Sequence, residues 1–538
     1  MSRIVGAEAL PAEVREYCGL DRIDFADQVS VTGVPCRSAE QWARATVGIV
    51  HPVAGTLIWR VGLHGRLDHR RSPDLIGGWR VAHRDERRIR LEIPSTVMSL
   101  RLMLTTEDDR VTLTTCVRFD APRGKAAWKT IEPLHGLGDP RLLAGAARKE
   151  RDRELQGVAD PDSKPSGERV VVLGAGYSGL LAARSLARHL PESARLTLIN
   201  ERDVFVERMR MHQLVAGQDL PRIPLSDSMR STGAEVAIGS VASLDRDGRA
   251  VVLDDGRRIG YDRLVYALGS RSTPAPQGSV GVADPDGAAT LRHRLGELRG
   301  GRVVVVGGGL TGVETASEIA EQRPELEVHL LSGGPVDAGM APRAGRRLRE
   351  SLSRLGVAVR EGVQVAPDGS GALQIESAGT AEPLSADLAI WAAGFRASPI
   401  AEDAGLRVDG QRRIVVDDRL RSVDDPRIYA IGDAGVIGRP KGLARMSCQT
   451  AVVMASWLGK RLAREVAGRP MPAHRPKFVW RNISLGRGDG LTQFTHFDDR
   501  PLPFFLHGKA AASFKELVNR FVAWEVTGLR PSSGRGRR

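Results

Sequence analysis

The sequence predicts an α/β chain in which two Rossmann-like dinucleotide-binding units follow an α+β domain. Three observations predict it. An apolar strand, a Gly-x-Gly-x-x-Gly loop and a helix succeed one another in "RVVVLGAGYSGLLAARSLARHL" and again in "GRVVVVGGGLTGVETASEIAEQ". Residues 1–150 lack that grammar and alternate short apolar runs with turn signals instead. A chain of 538 residues is also too long for a single core.

The first domain, residues 1–150, reads as strands in "GTLIWRVGL", "GGWRVAHRDERRIRLEI" and "MSLRLMLTTEDDRVTLTTCVRF", with Glu107, Asp108 and Asp109 marking a hairpin. It closes on a helical "GDPRLLAGAARKERDREL". This order of elements resembles the helix-grip (START-like) family, whose sheet wraps a helix around an apolar cavity. The residues fit a β-rich accessory domain without a ligand equally well. Residues 151–168, including "GVADPDSKPSGE", have the Pro, Asp, Ser and Gly content of a linker.

Residues 169–298 form the first part of one nucleotide domain. A strand over Arg169–Leu173 runs into Gly174, Gly176 and Gly179, which serve the tight turn, the approach of backbone to a pyrophosphate, and close helix–strand packing. The next strand, "ARLTLINE", delivers Glu201 to accept from a ribose hydroxyl. Residues 299–384 repeat the pattern with Gly307, Gly309 and Gly312. Here the following strand, "EVHLLSG", offers Ser332 where an acid would read the ribose, so the choice between NADH and NADPH stays open; Arg343 in "RAGRR" is a candidate for a 2′-phosphate. Residues 385–455 return to the first domain through "SVDDPRIYAIGDAGV", an apolar strand ending in Gly432 and Asp433.

These phrases, with "YDRLVYALGS" and "ADLAIWAAGF", resemble the two-dinucleotide-binding-domain flavoproteins of glutathione-reductase-like fold over residues 169–450. The resemblance implies FAD on the first loop with Asp433 on its ribityl chain, and NAD(P)H on the second loop, inserted within the FAD domain. Many such proteins carry a CxxxxC disulfide. The four cysteines here form neither that motif nor CxxC, so reducing equivalents must leave directly for an external acceptor. "FVERMRMHQLVAG", "RMSCQTAVVMASWLGKRLA" and the "GVE" after the second loop are similar to type II NADH:quinone oxidoreductases. That similarity implies a quinone-like acceptor, Glu314 near the nicotinamide and Gln449 beside the isoalloxazine. Other readings compete. Glu314 in a first helical turn is favoured by the helix dipole alone, Gln449 can satisfy backbone groups, and His212 is either an acid or a packed polar tip. A small redox protein or organic molecule as acceptor, or a redox sensor with a ligand-binding first domain, are alternative functions.

A 41% hydrophobic and 27% charged composition is that of a globular chain. No apolar run reaches the roughly 18 to 20 residues of a bilayer span, and "MSRIVGAEALPAEVREY" lacks a secretory signal, which predicts a cytoplasmic protein. Residues 439–538 carry 19 Lys and Arg against 6 Asp and Glu, matching the whole chain's net charge of +13. Residues 456–538 are expected to be a basic region containing an amphipathic helix with Phe514, Leu517, Val518, Phe521 and Val522 in a stripe and Lys509, Lys515 and Arg520 around it. Such a helix lies flat on an anionic inner membrane surface or packs on its own core. A homodimer fits this reading, and no nucleic-acid partner or metal site is expected. The tail "PSSGRGRR" reads as disordered, and the Arg excess equally fits a compositional preference.

Overall fold

The computed structural model describes residues 2–34, 37–47, 74–76, 78–93, 95–126, 128–129, 132, 143–147, 167–368, 370–438, 445–475 and 477–529. The chain divides into two compact units, Met1–Asp160 and Pro161–Arg538.

The first unit is built on a seven-stranded antiparallel sheet ordered Ser2–Val5, Phe25–Thr32, Arg110–Phe119, Met98–Glu107, Arg88–Ile93, Trp79–Arg84, Leu75–Ile76. Glu107 pairs with Arg110, so Asp108 and Asp109 make the two-residue hairpin turn. Alternation sends Ile89, Leu91 and Ile93 to one face, where the helix Ala39–Val47 covers them with Trp42, Ala43 and Val47. Leu143, Ala146 and Ala147 are buried in the same core. The helix Ala12–Cys18 covers the other face in a smaller core of Leu10, Cys18, Ala26, Met103 and Cys116. The segment "GTLIWRVGL", most of the closing helix, the linker motif up to residue 166, Cys36 and the tail lie outside the described residues.

The second unit holds two parallel sheets of five strands. One is ordered Glu235–Ile238, Arg195–Asn200, Arg169–Leu173, Arg263–Tyr266, Ile428–Ala430. The other is ordered Ser279–Gly281, Leu388–Trp391, Gly301–Val306, Leu326–Ser332, Ala358–Glu361. Val170–Leu173 and Val303–Val306 are buried, which is why these central strands read as unbroken valine-rich runs. Ile428–Ala430 completes the first sheet only after the chain has built the second, so one domain is inserted in the other. The antiparallel pair Ser270–Ser272 and Phe395–Ala397 joins the outgoing and returning segments.

The helix Cys448–Val466 packs on the helix Tyr177–Ala187 that follows the first glycine-rich loop, so a boundary drawn at 455 cuts a continuous element. The region after it differs from a basic segment with one helix. Trp480–Ser484, Gly490–Thr495 and Pro501–His507 form an antiparallel sheet beneath the helix Gly508–Thr527. Phe514, Val522 and Val526 of that helix are buried, and Phe514 meets Trp480 edge to face at 5.3 Å. The stripe is therefore split between core and surface: Leu517, Val518 and Phe521 are half-buried and Trp524 is exposed.

Candidate functional site

Both glycine-rich loops connect the carboxyl end of a central parallel strand to a helix, the place where open α/β sheets bind ligands. The structure separates the three glycine roles. A Cβ at Gly179 would overlap the Gly174 carbonyl oxygen, and one at Gly312 would overlap that of Gly307. At Gly176 and Gly309 nothing lies within 4 Å of a would-be Cβ. The outer glycines are thus required by packing within the chain. The middle ones leave open space in front of the helices Tyr177–Ala187 and Leu310–Gln322, which is what a bound pyrophosphate needs.

Asp433 is half-buried beside the first loop and accepts a 2.7 Å hydrogen bond from Ser270 Oγ. Gly432 places it there with a φ of 66°, and a Cβ at that residue would come within 2.6 Å of Ser178 Oγ. The amino end of the helix Cys448–Val466, capped by Ser447, packs on this turn. Gln449 stands in its first turn, half-buried, its side-chain oxygen accepting from Arg445 at 2.9 Å. Burial lowers Arg445 to about 10 against the opposing charge of Asp499. Burial, and then the Asp433 carboxylate, raise the Cys448 thiol far above its ordinary range, so the one cysteine at this site among the described residues is inert.

Glu201 is exposed and paired with Arg271 at 2.6 Å. The residue that turns under the first loop is its neighbour Asn200, which accepts from the Ala175 N–H at 2.8 Å. Ser332 holds the same place after the second glycine-rich loop: it is 5% exposed, and its hydroxyl donates to the Gly334 carbonyl at 2.6 Å. Arg343 is exposed on the helix Pro342–Arg354.

Glu314 is the fifth residue of the helix that starts at Leu310, beyond its first turn, so the dipole does not account for it. It is buried, accepts from the Ser484 N–H at 3.1 Å, and forms an ion pair with Lys515. His212 is 3% exposed, with Nδ1 3.7 Å from Glu314 Oε2 and no hydrogen-bond partner for Nε2. Burial, then the charges of Lys515, Arg487 and Arg210, hold its pKa well below the ordinary value, so the imidazole is neutral at pH 7. One turn along, the fully buried Glu318 accepts from Gln218 at 2.6 Å and pairs with Arg487 at 2.7 Å. A buried carboxylate needs such partners, and here they come from the C-terminal sheet and helix.

Sequence reasoning put Glu314 near the nicotinamide and Gln449 beside the isoalloxazine by resemblance and left His212 open between an acid and a packed polar tip; the structure places Glu314 and His212 together, whereas Gln449 lies on a different helix at the Asp433 turn. It missed Lys515, Arg487, Ser270 and Arg445. Lys515, expected on the polar flank of an amphipathic helix, is buried, in line with Asn519, Val522 and Val526 on the inward stripe. That i, i+4, i+7, i+11 spacing was the available signal.

A family model described as pyridine nucleotide-disulphide oxidoreductase matches residues 168–455. An NADH dehydrogenase-like protein of Mycobacterium tuberculosis is 34% identical over 380 residues, covering 65% of this chain and 93% of that one. A type II NADH:quinone oxidoreductase of the same organism is 26% identical over 427 residues, covering 69% and 90%. Among solved structures, the sulfide:quinone oxidoreductase of Aquifex aeolicus superposes with a TM-score of 0.60 at 19% identity, covering 67% of this chain and 92% of its own; it supports the fold.

Proposed function

Because the chain belongs to the pyridine nucleotide-disulphide oxidoreductase family, we propose that it is an FAD-dependent enzyme that oxidises NAD(P)H and delivers the electrons to a quinone-like acceptor. The observation that carries this reading is the pair of open middle glycines, Gly176 and Gly309, on two parallel sheets of which one is inserted in the other. The relatives named for NADH and quinone chemistry support the same assignment. The residues fit FAD at the first loop, with Gly176 leaving room for the pyrophosphate and the Asp433 carboxylate, steadied by Ser270, meeting the ribityl chain. When bound, FAD supplies the two-electron centre between a hydride donor and a one- or two-electron acceptor.

The chain's own groups do the rest. Gly309 admits the nicotinamide dinucleotide to the second helix, and Gln449, oriented by Arg445, presents its amide at the Asp433 turn. Reduction of a quinone consumes protons, and Glu314 with Lys515 forms a buried ion pair beside a neutral His212. Cys448 takes no part, since its thiol stays protonated. The finer placement on a membrane rests on the outer face of Gly508–Thr527, where exposed Trp524 and half-buried Leu517 and Phe521 stand with exposed Lys509 and Arg520. No helix among the described residues is long and apolar enough to cross a bilayer.

Anaerobic mixing with NADH or NADPH should bleach the flavin absorbance, and a menaquinone analogue should restore it faster than oxygen does. A flavin that is never bleached, or that reduces once and is reoxidised by no quinone, defeats the reading. For the surface, Phe521→Ser/Trp524→Ser should abolish co-sedimentation with anionic vesicles while turnover with a water-soluble quinone persists; a parent protein that never binds vesicles removes the membrane placement.

A further inference from the structure

The two nucleotide-binding units, first around Gly174–Gly179 and second around Gly307–Gly312, can be superimposed through one shared hydrogen bond. The Gly174 N–H donates to the Ile199 carbonyl at 2.8 Å, and the Gly307 N–H donates to the Leu331 carbonyl at the same distance. Asn200 and Ser332 therefore correspond, and so do Glu201 and Gly333. In the first unit the strand end still carries a carboxylate one residue on, at Glu201. In the second it carries a buried hydroxyl and then no side chain at all.

Neighbouring acids do not fill the gap. Glu361 lies directly across from Ser332 on the adjacent strand, and its Oε1 accepts from the Val336 N–H at 2.7 Å and from Arg349 at 2.9 Å. Asp337 is held by the same guanidinium at 3.0 Å. Both carboxylates brace the segment after the strand. An acid at this place normally accepts from the ribose 2′-hydroxyl and repels a 2′-phosphate, while an arginine there does the reverse. The strand end here has neither.

We infer that the second unit takes NADH and NADPH with comparable efficiency, because Ser332 and Gly333 leave its ribose subsite without a charge that tells them apart. This rests on the NAD(P)H-oxidising function proposed above. Gly333 is the position from which the preference can be set. Its φ lies outside the left-handed region, and a Cβ there would meet only the Val363 carbonyl oxygen, at an ordinary 3.7 Å. A side chain fits without strain.

The test uses the full-length, flavin-loaded protein and pre-steady-state flavin reduction by each nucleotide, with nucleotide Kd measured separately by quenching of intrinsic fluorescence. The wild-type rate-to-Kd ratios for NADH and NADPH are expected within about tenfold of each other, the discrimination one charge-assisted hydrogen bond would give. Gly333→Asp should shift the ratio toward NADH by about tenfold or more, and Gly333→Arg toward NADPH by a similar factor. Equal flavin content and melting temperature would certify both variants as folded. A wild-type preference for NADH well beyond tenfold overturns the inference, and so does an equally strong preference for NADPH, which would mean that a cation such as Arg343 reads the phosphate. Ratios unmoved in both variants overturn the assignment of this strand end. Failure of both nucleotides to reduce the flavin defeats the proposed function itself, which distinguishes the two failures.

Discussion

The two dinucleotide units share a backbone and differ in what their first helix buries. Counting from the third glycine, Leu181 of the first unit corresponds to Glu314 of the second, and Ser185 to Glu318. Leu181 and Ser185 are each 2% exposed and make ordinary core. Glu314 and Glu318 are also buried, yet each is a carboxylate held by a cation from the C-terminal region, Lys515 and Arg487. The same helix thus packs a hydrophobic cluster in one unit and an ionic one in the other. The C-terminal helix Gly508–Thr527 touches both: Lys515 near its start reaches the second unit, and Arg184 of the first unit donates to the Glu525 and Val526 carbonyls at its end. The basic charge of residues 439–538 is not simply a surface. Arg445 and Arg481 share Asp499, and Arg520 pairs with Glu516.

The largest effect should come from breaking that asymmetry. Lys515→Met leaves Glu314 buried and unpaired, at a cost of about 3–5 kcal/mol in unfolding free energy by denaturant titration. Adding Glu314→Leu, which copies Leu181 of the first unit, should restore most of that stability without restoring quinone turnover. A double variant that recovers activity would make the pair purely structural.

Next come the loops, where one substitution should have two outcomes. Gly309→Val should keep flavin bound and slow its reduction by nucleotide by about a hundredfold or more, since the reacting dinucleotide is displaced. Gly176→Val should instead yield protein with little flavin. Stopped-flow reduction and flavin-to-protein absorbance ratios distinguish them, and identical phenotypes would contradict the separate roles of the units.

Asp433→Ala tests a feature that only the first unit possesses. Loss of a charge-assisted hydrogen bond should weaken flavin binding by about thirtyfold, or ~2 kcal/mol, measured by titrating apoprotein with FAD. Ser270→Ala, which removes only the orienting hydroxyl, should cost less.

The smallest effect concerns Glu525, where the C-terminal helix meets the first unit. Burial raises its carboxyl to about 7, with Lys460, Arg188 and Arg184 pulling the other way. The folded protein holds that proton to higher pH than the unfolded chain, so stability falls as pH rises from about 4.5 to about 7. Glu525→Gln should flatten that slope by up to ~1.4 kcal/mol per pH unit within the window, read from thermal melts at fixed ionic strength. An unchanged slope would remove the titration from this contact.

The fold of residues 169–438 was legible because its signals are local. A valine run, a glycine triplet and a helix lie within about twenty residues of one another, and the packing they encode, strand against helix through Gly179 or Gly312, is decided by those residues alone. The small-residue strand ends and the Gly432–Asp433 turn are local in the same way, so Asp433 could be named from its neighbours. The two residues at the end of the second strand of the first parallel sheet, Asn200 and Glu201, have different surroundings. Near a strand end, one residue separates a side chain turned under the loop, as Asn200 is, from one turned to solvent, as Glu201 is, and periodicity cannot settle that where the strand stops.

What the sequence by itself determined is therefore the pair of nucleotide loops, their order, and the want of a dithiol between them. The tertiary structure alone decided what surrounds Glu314. Lys515 is 201 residues away from it in the chain, and Ser484 170. Their meeting depends on a small antiparallel sheet whose strands, "VWRNISL" and "GLTQFTHF", carry no motif. A buried carboxylate recruits whichever cation the fold brings within reach. That choice is made by long-range packing, because desolvation penalises every unpaired arrangement regardless of where the partner sits in the sequence.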